Sequence, residues 1–191
     1  MKKRLVLIGS LAIAGVLFFG HGAYMLAKAQ LAQYLLERAW ARTIHGERDV
    51  KPWRWADTWP VARIEFPHQR QSYIVLAGAS GRTMAFGPGH VDGSASPDAA
   101  GNCVISAHRD TQFAVLRDVE VGDPIVLQTR DGHAIRYRVL QHRVVEKNDL
   151  SLLEPSRGRI LTLITCFPFD AIRPGGPQRY VVIASAVGSG S

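Results

Sequence analysis

Hydrophobic and polar positions divide the chain into two regimes. From Leu5 to Ala27 it reads LVLIGSLAIAGVLFFGHGAYMLA, 23 residues without Asp, Glu, Lys or Arg, directly after Lys2-Lys3-Arg4. A helix of that length, rising about 1.5 Å per residue, spans about 34 Å and crosses a hydrocarbon core with some tilt. The helical pattern then continues without a breaker from Gln30 to Trp40. Beyond Pro60 the apolar runs shorten to strand length: Val61–Phe66, Tyr73–Ala77, Thr83–Phe86, Cys103–Ala107, Pro124–Thr129, Ile135–Val145, Arg159–Thr165 and Arg179–Ala186. Turn residues separate them, among them Gly87-Pro88-Gly89, Gly101-Asn102, Gly122-Asp123 and Gly175-Gly176-Pro177. Such spacing predicts an all-β barrel or sandwich. Asp131-Gly132 is the clearest hairpin signal, and Phe113, Leu116 and Arg117 stand at helical spacing in a short helix after Asp110.

The N-terminal stretch has a competing reading as a signal peptide cleaved at Ala27-Lys28-Ala29. That site lies past the most apolar part, Leu5 to Phe19, and the helical pattern runs straight through it, so a retained anchor is expected. Lys2, Lys3 and Arg4 then stay in the cytoplasm and send the rest of the chain outward. All four tryptophans (Trp40, Trp53, Trp55, Trp59) fall in the connection. A membrane-interface belt accounts for them, but Pro52 and Pro60 beside them favour a linker that docks its indoles on the domain.

Charge follows the same division. Residues 1–54 hold nine basic side chains against Glu37, Glu47 and Asp49, a balance of +6, whereas residues 55–191 carry 14 basic against 13 acidic. The net +7 of the 191-residue chain is therefore an N-terminal feature. A nucleic-acid binder spreads a basic patch over its folded body, so nucleic acid is excluded as a partner.

Two cysteines carry the candidate chemistry. In an oxidising compartment Cys103 and Cys166 could pair. The alternative, preferred here, is a packed and inert Cys103: its odd separation from His108 turns the two to opposite faces of a strand. Cys166 ends the run Leu161 to Thr165, and Pro168 stops further pairing, so its thiol belongs at the mouth of the sheet. A thiol of ordinary pKa, about 8.5, is only a few per cent thiolate at pH 7, so a nucleophilic Cys needs a cation or base beside it. His108 ends another strand, and Arg179 opens the last one.

At these residues the chain resembles the sortases. The resemblance rests on Thr162-Leu163-Ile164-Thr165-Cys166 as a TLxTC strand, on the upstream strand-end His108, and on Arg179 in the strand after the cysteine loop. The fuller matches, GPGH (Gly87 to His90), GN…HRDT (Gly101 to Thr111), Gly122-Asp123 and TCFPFD (Thr165 to Asp170), look most like the class found in Gram-negative bacteria. The resemblance implies an all-β, closed eight-stranded sortase-type barrel with short helices, preceded by a transmembrane helix. Covering about residues 60–187, and joined to the pattern of the N-terminal segment, it divides the chain into a cytoplasmic tip and anchor (1–27), a helical stalk and Trp-rich linker (28–60), a catalytic domain (61–187) and a tail (188–191). It also implies a cysteine transpeptidase of the inner membrane, with its catalytic domain in the periplasm and no cofactor. Cys166 would attack an LPxTG-like sorting signal on a secreted protein, with His108 as acid and base, Arg179 as oxyanion donor and an amine as acceptor.

A cysteine hydrolase of the same fold and a non-catalytic membrane-tethered peptide-binding barrel are the alternatives. L,D-transpeptidases also pair Cys with His, but the setting Thr165-Cys166-Phe167 is unlike theirs. His90 is read as part of a Gly/Pro turn, Asp110 as an N-cap, and Asp118, Glu120 and Asp123 as a solvated turn too sparse for a calcium loop. Arg173 is the fallback should Arg179 face away.

Overall fold

A computed structural model describes residues 2–171, 173 and 175–188; the side chains of residues 2, 5–8, 10 and 12 lie outside the description. The chain divides into two compact units at Leu35/Leu36. Helix α1, Lys2–Ile44, supplies the first and begins the second. No proline interrupts it, and it is continuous through Ala27 to Ala29, where a cleaved leader would end. The transmembrane expectation is corrected to a narrower statement: among the described residues, no helix is long and apolar enough to cross a membrane. Part of the apolar run falls on undescribed side chains. The part described without interruption, from Ile13 onward, is diluted by Gly15, Gly20, His21, Gly22, Lys28 and Gln30.

In the second unit, Leu36 and Trp40 stand one helical turn apart on the same face of α1. They form an apolar cluster with Ile74 and Leu76, against which Trp53 and Phe86 pack. The Trp53 and Phe86 rings meet edge-on at 4.7 Å. Trp40 is buried and Trp53 and Trp59 half-buried, as indole docking predicts, but Trp55 is 83% exposed.

The strands are β1 (Pro60–Phe66), β2 (Gln71–Ala77), β3 (Gly89–His90), β4 (Gly101–Ser106), β5 (Pro124–Thr129), β6 (Ala134–Glu146), β7 (Arg159–Phe167) and β8 (Gln178–Ala186). They close into a barrel in the order β1-β2-β3-β4-β7-β8-β6-β5, which is the eight-stranded architecture expected. One strand is not where the sequence put it. Thr83–Phe86 lies instead across a short helix α2, Gly81–Met84, because the Ser80 hydroxyl accepts from the Thr83 amide at 3.1 Å and caps a helical turn. The missing strand is the two-residue β3, tied parallel to β2 and antiparallel to β4. The Asp131-Gly132 hairpin joins β5 to β6, with Gly132 at φ +83°. The short helix after Asp110 is a 3₁₀ helix, Gln112–Arg117, which buries Phe113 and Leu116.

Alternation along the strands sends Ala62, Ile64, Phe66, Cys103, Ile105, Leu127, Tyr137, Leu161, Leu163, Val182 and Ala184 into one interior core. The joint between β4 and β7 fixes where both strands finish. They pair in parallel, from Gly101↔Arg159 to Ser106↔Ile164, so both end at the same rim of the barrel.

Candidate functional site

Because Leu161 and Leu163 face the core, Thr162, Ile164 and Cys166 face outward on β7. By the same rule Arg179 faces outward on β8, since Val182 and Ala184 face in. Cys166 and Arg179 are direct partners in the β7–β8 register. A pair directly opposed across antiparallel strands has its Cα atoms about 4.5–5.5 Å apart. On the other side of β7, the parallel register with β4 runs on past its last strand pair. The Ala107 amide donates to the Ile164 carbonyl at 3.2 Å, and the Thr165 hydroxyl donates to the Ala107 carbonyl at 2.8 Å. The next residue on each chain is His108 and Cys166. Three rim positions, His108, Cys166 and Arg179, thus sit side by side across three neighbouring strands, although they come from segments 58 and 13 residues apart in sequence. All three are half-buried.

Each position is held by local structure. β7 ends at Phe167, immediately before Pro168, as the missing proline amide requires. Beneath the outward thiol, Phe167, Phe169 and Tyr180 fill the rim: Phe167 stacks on Tyr180 at 6.2 Å, Phe169 meets Tyr180 edge-on at 5.1 Å, and the Arg117 guanidinium lies 5.3 Å over Phe169. Arg179 donates from Nη1 to the carbonyls of Gly176 and Gln178, at 2.8 and 2.9 Å. A guanidinium has five N–H donors, so Nε and Nη2 are left for other acceptors. At the far end of the outer face, Asn102 roofs β4 and β7. It donates to the carbonyls of Leu152 and Glu154 and accepts from the Thr162 hydroxyl at 2.7 Å.

Both cysteines are free, so no disulfide forms. Cys103 is 2% exposed in the interior, and burial, then the Asp98 carboxylate, pushes its thiol up to about 12. A buried thiol with so little thiolate is no nucleophile at neutral pH. His90 is engaged in its turn, with Nε2 at 2.9 Å from the Ala95 carbonyl and 3.1 Å from the Ser94 hydroxyl. Asp123 accepts from the Glu120 amide, Gln69 and His68, as a turn-fixing carboxylate does. The N-cap expectation for Asp110 is overturned: the capping position is Thr111, without a side-chain bond, and Asp110 is exposed. Arg173 is exposed in the loop between β7 and β8.

Sequence reasoning missed the residues that fasten this rim. Thr165 was visible only as part of a strand, and Arg109 only as a letter of the GN…HRDT stretch, yet Arg109 is 8% exposed and donates to the Ala171 and Arg173 carbonyls at 2.8 and 2.9 Å. A charge between His108 and Asp110 reads as solvated in one dimension, and only the returning loop buries it.

A sequence model of the sortase domain matches residues 64–187. Sortase D of Bacillus subtilis (strain 168) is 30% identical over 125 residues, covering 65% of this chain and 62% of that protein. Sortase SrtE1 of Streptomyces coelicolor is 34% identical over 87 residues, covering 39% of this chain and 25% of that protein. The chain therefore spans less than two thirds of the length of the curated relatives it matches. Among solved structures, sortase C-1 from Actinomyces oris superposes with a TM-score of 0.60 at 28% identity, over 68% of this chain and 75% of that one. These relatives carry the designations D, E1 and C-1, so they establish the family without the Gram-negative class. The domain match spans most of the barrel and the rim that carries Cys166, and on that footing the chain belongs to the sortase family.

Proposed function

We propose that this chain is a sortase-type cysteine transpeptidase, most like the class found in Gram-negative bacteria, with Cys166 as nucleophile, His108 as acid and base, and Arg179 as oxyanion donor. The observation that carries the reading is the register. Cys166 lies opposite Arg179 and abreast of His108 on one outward rim.

The Cys166 thiolate attacks the carbonyl of the Thr residue in an LPxTG-like sorting signal. The tetrahedral oxyanion meets the fixed donors of Arg179, whose charge no ordinary pH change removes. Collapse breaks the peptide bond, and imidazolium at His108 protonates the departing amine. The product is a thioacyl enzyme on Cys166. An incoming amine attacks the thioester, neutral His108 takes its proton, and the thiolate leaves.

The proposed setting is the inner membrane, with the N-terminus in the cytoplasm and the barrel in the periplasm. Residues 1–27 act as tip and anchor, 28–60 as stalk and linker, 61–187 as the catalytic domain and 188–191 as a tail. Supporting the anchor are the charge-free run Leu5 to Ala27 after Lys2-Lys3-Arg4 and the side chains of Phe18 and Phe19, 80% and 84% exposed on α1.

The test is mass spectrometry of the full chain in detergent with an LPxTG-type peptide, with and without a primary amine. A thioacyl adduct on Cys166 that passes to the amine is expected. Hydrolysis without transfer would make the chain a cysteine hydrolase. An untouched peptide together with a Cys166 that resists alkylation in the folded chain would remove the nucleophile, leaving a binding barrel.

A further inference from the structure

Resting on the transpeptidase reading, we propose that Arg109 is a positioning residue that latches the β7–β8 loop to the end of β4, and so fixes His108 beside Cys166. His108 lies beyond the last paired residue of its strand, Ser106. On its N-terminal side the chain is tied through Ala107, by the amide bond to Ile164 and the carbonyl bond from Thr165. On its C-terminal side the next residue, Arg109, reaches into the loop between Cys166 and Arg179. There its Nη2 holds the carbonyls of Ala171 and Arg173 at 2.8 and 2.9 Å. The His108 carbonyl also accepts from the Phe113 amide at 3.0 Å, which sets the turn. The imidazole is thus carried by a three-residue segment fastened at one end to β7, which bears the thiol, and at the other to the loop that follows it.

The energetics separate a latch from ordinary packing. Arg109 is 8% exposed, and among the described residues no carboxylate pairs with it. Its Nη1 is buried and finds no hydrogen-bond partner among the described residues. Burying a cation that only carbonyl dipoles offset, with a donor left unfilled, costs more than an apolar side chain of the same length would. Stability alone therefore gives no reason for a guanidinium here. A planar fork that holds two loop carbonyls at once does give one, because misplacing a catalytic group by about 1 Å costs about 100-fold in rate.

Arg109→Met and Arg109→Lys, made in the full chain, test this with two readouts. The first is kcat and KM on an LPxTG-type peptide, per Cys166 titrated by a thiol reagent. The second is the pH profile of Cys166 alkylation without peptide. Arg109→Met is expected to lose about 10–100-fold in kcat/KM, mostly in kcat, and to shift the alkylation profile as the imidazole moves from the thiol. Arg109→Lys, which keeps the charge but not the fork, is expected to recover part of both. The proposal is overturned if both variants match the parent on both readouts, or if the kcat/KM deficit vanishes once normalised to titratable Cys166, since Arg109 would then serve only folding. Should the parent leave the peptide untouched while the alkylation profile still shifts in Arg109→Met, the latch stands and the transpeptidase reading falls. If the parent transfers peptide and the variants match it, the latch alone falls.

Discussion

Replacing Cys103 with alanine should lower stability at neutral pH and raise it at alkaline pH. The Cys103 thiol is held in the barrel interior with its pKa moved well above the ordinary thiol range, up to about 12, first by burial and then by the Asp98 carboxylate. Between those values the folded chain keeps a proton that the unfolded chain has released. The stability contributed by this group is therefore complete below about pH 9 and declines as pH rises toward 12, by about 1.4 kcal/mol per pH unit. At pH 11 the loss amounts to about 3 kcal/mol. Cys103→Ala removes one sulfur from a packed site, a cavity cost of about 1 kcal/mol, and removes the titration with it. The two stability curves should cross between about pH 9 and 10, with the variant ahead by about 2 kcal/mol at pH 11. Tyr137 is also pushed up to about 12, first by burial and then by the Cys103 charge; the burial part is common to both proteins and cancels, whereas the Cys103 part leaves with the thiol and adds to the same alkaline difference. Urea unfolding followed by circular dichroism at pH 7, 9, 10 and 11, with reductant present, measures it. A difference between the two proteins that stays constant from pH 7 to 11 would refute the reasoning, because Cys103 would not be the buried thiol described.

Three further outcomes are expected. Cys166→Ala should abolish the thioacyl adduct while Cys103→Ala retains it, read by intact mass after incubation with peptide; loss in both folded variants would sink the assignment of Cys166 as sole nucleophile. Arg179→Gln should cut kcat/KM by about 100–1,000-fold with little change in unfolding midpoint, and a loss below tenfold would move the oxyanion donor elsewhere. Thr165→Val, nearly isosteric, strips the hydroxyl from the buried Ala107 carbonyl and should cost about 1–3 kcal/mol in urea unfolding, whereas an unchanged midpoint would mean that bond contributes nothing net.

The barrel was legible because its strands alternate and its turns carry glycine, and seven of the eight segments read from the sequence are strands. Thr83–Phe86 was not, since apolar content outweighed the Ser80 cap that starts a helical turn there. Cys166, His108 and Arg179 were legible as strand-end residues, and the inert Cys103 as one of opposite parity to His108. What fastens the rim was hidden. The bonds of Thr165 to Ala107 and of Arg109 to Ala171 and Arg173 span 58 to 64 residues, and a buried arginine looks like any other until the loop that covers it is in place. Trp55 shows the reverse error: grouping all four tryptophans as docked overlooked that the side chains of a single irregular segment face both inward and outward.

The parallel joint between β4 and β7 bears on when the thiol can first meet its partner in the life of the chain. Cys103 and Leu161 are neighbours across that joint although 58 residues separate them, and everything from the 3₁₀ helix through β5 and β6 lies in the excursion between. Contacts of such separation pay loop-closure entropy before they return any energy, and they form after local hairpins such as β1–β2 and β5–β6. A chain stalled with only its hairpins made can already set Arg179 opposite Cys166 in the β7–β8 pair, but it has no imidazole beside the thiol. The joint therefore ties competence to completed folding: an incompletely folded copy is silent toward substrate, and pulse alkylation during refolding should show Cys166 acquiring its folded-state reaction rate only with the last, barrel-closing phase.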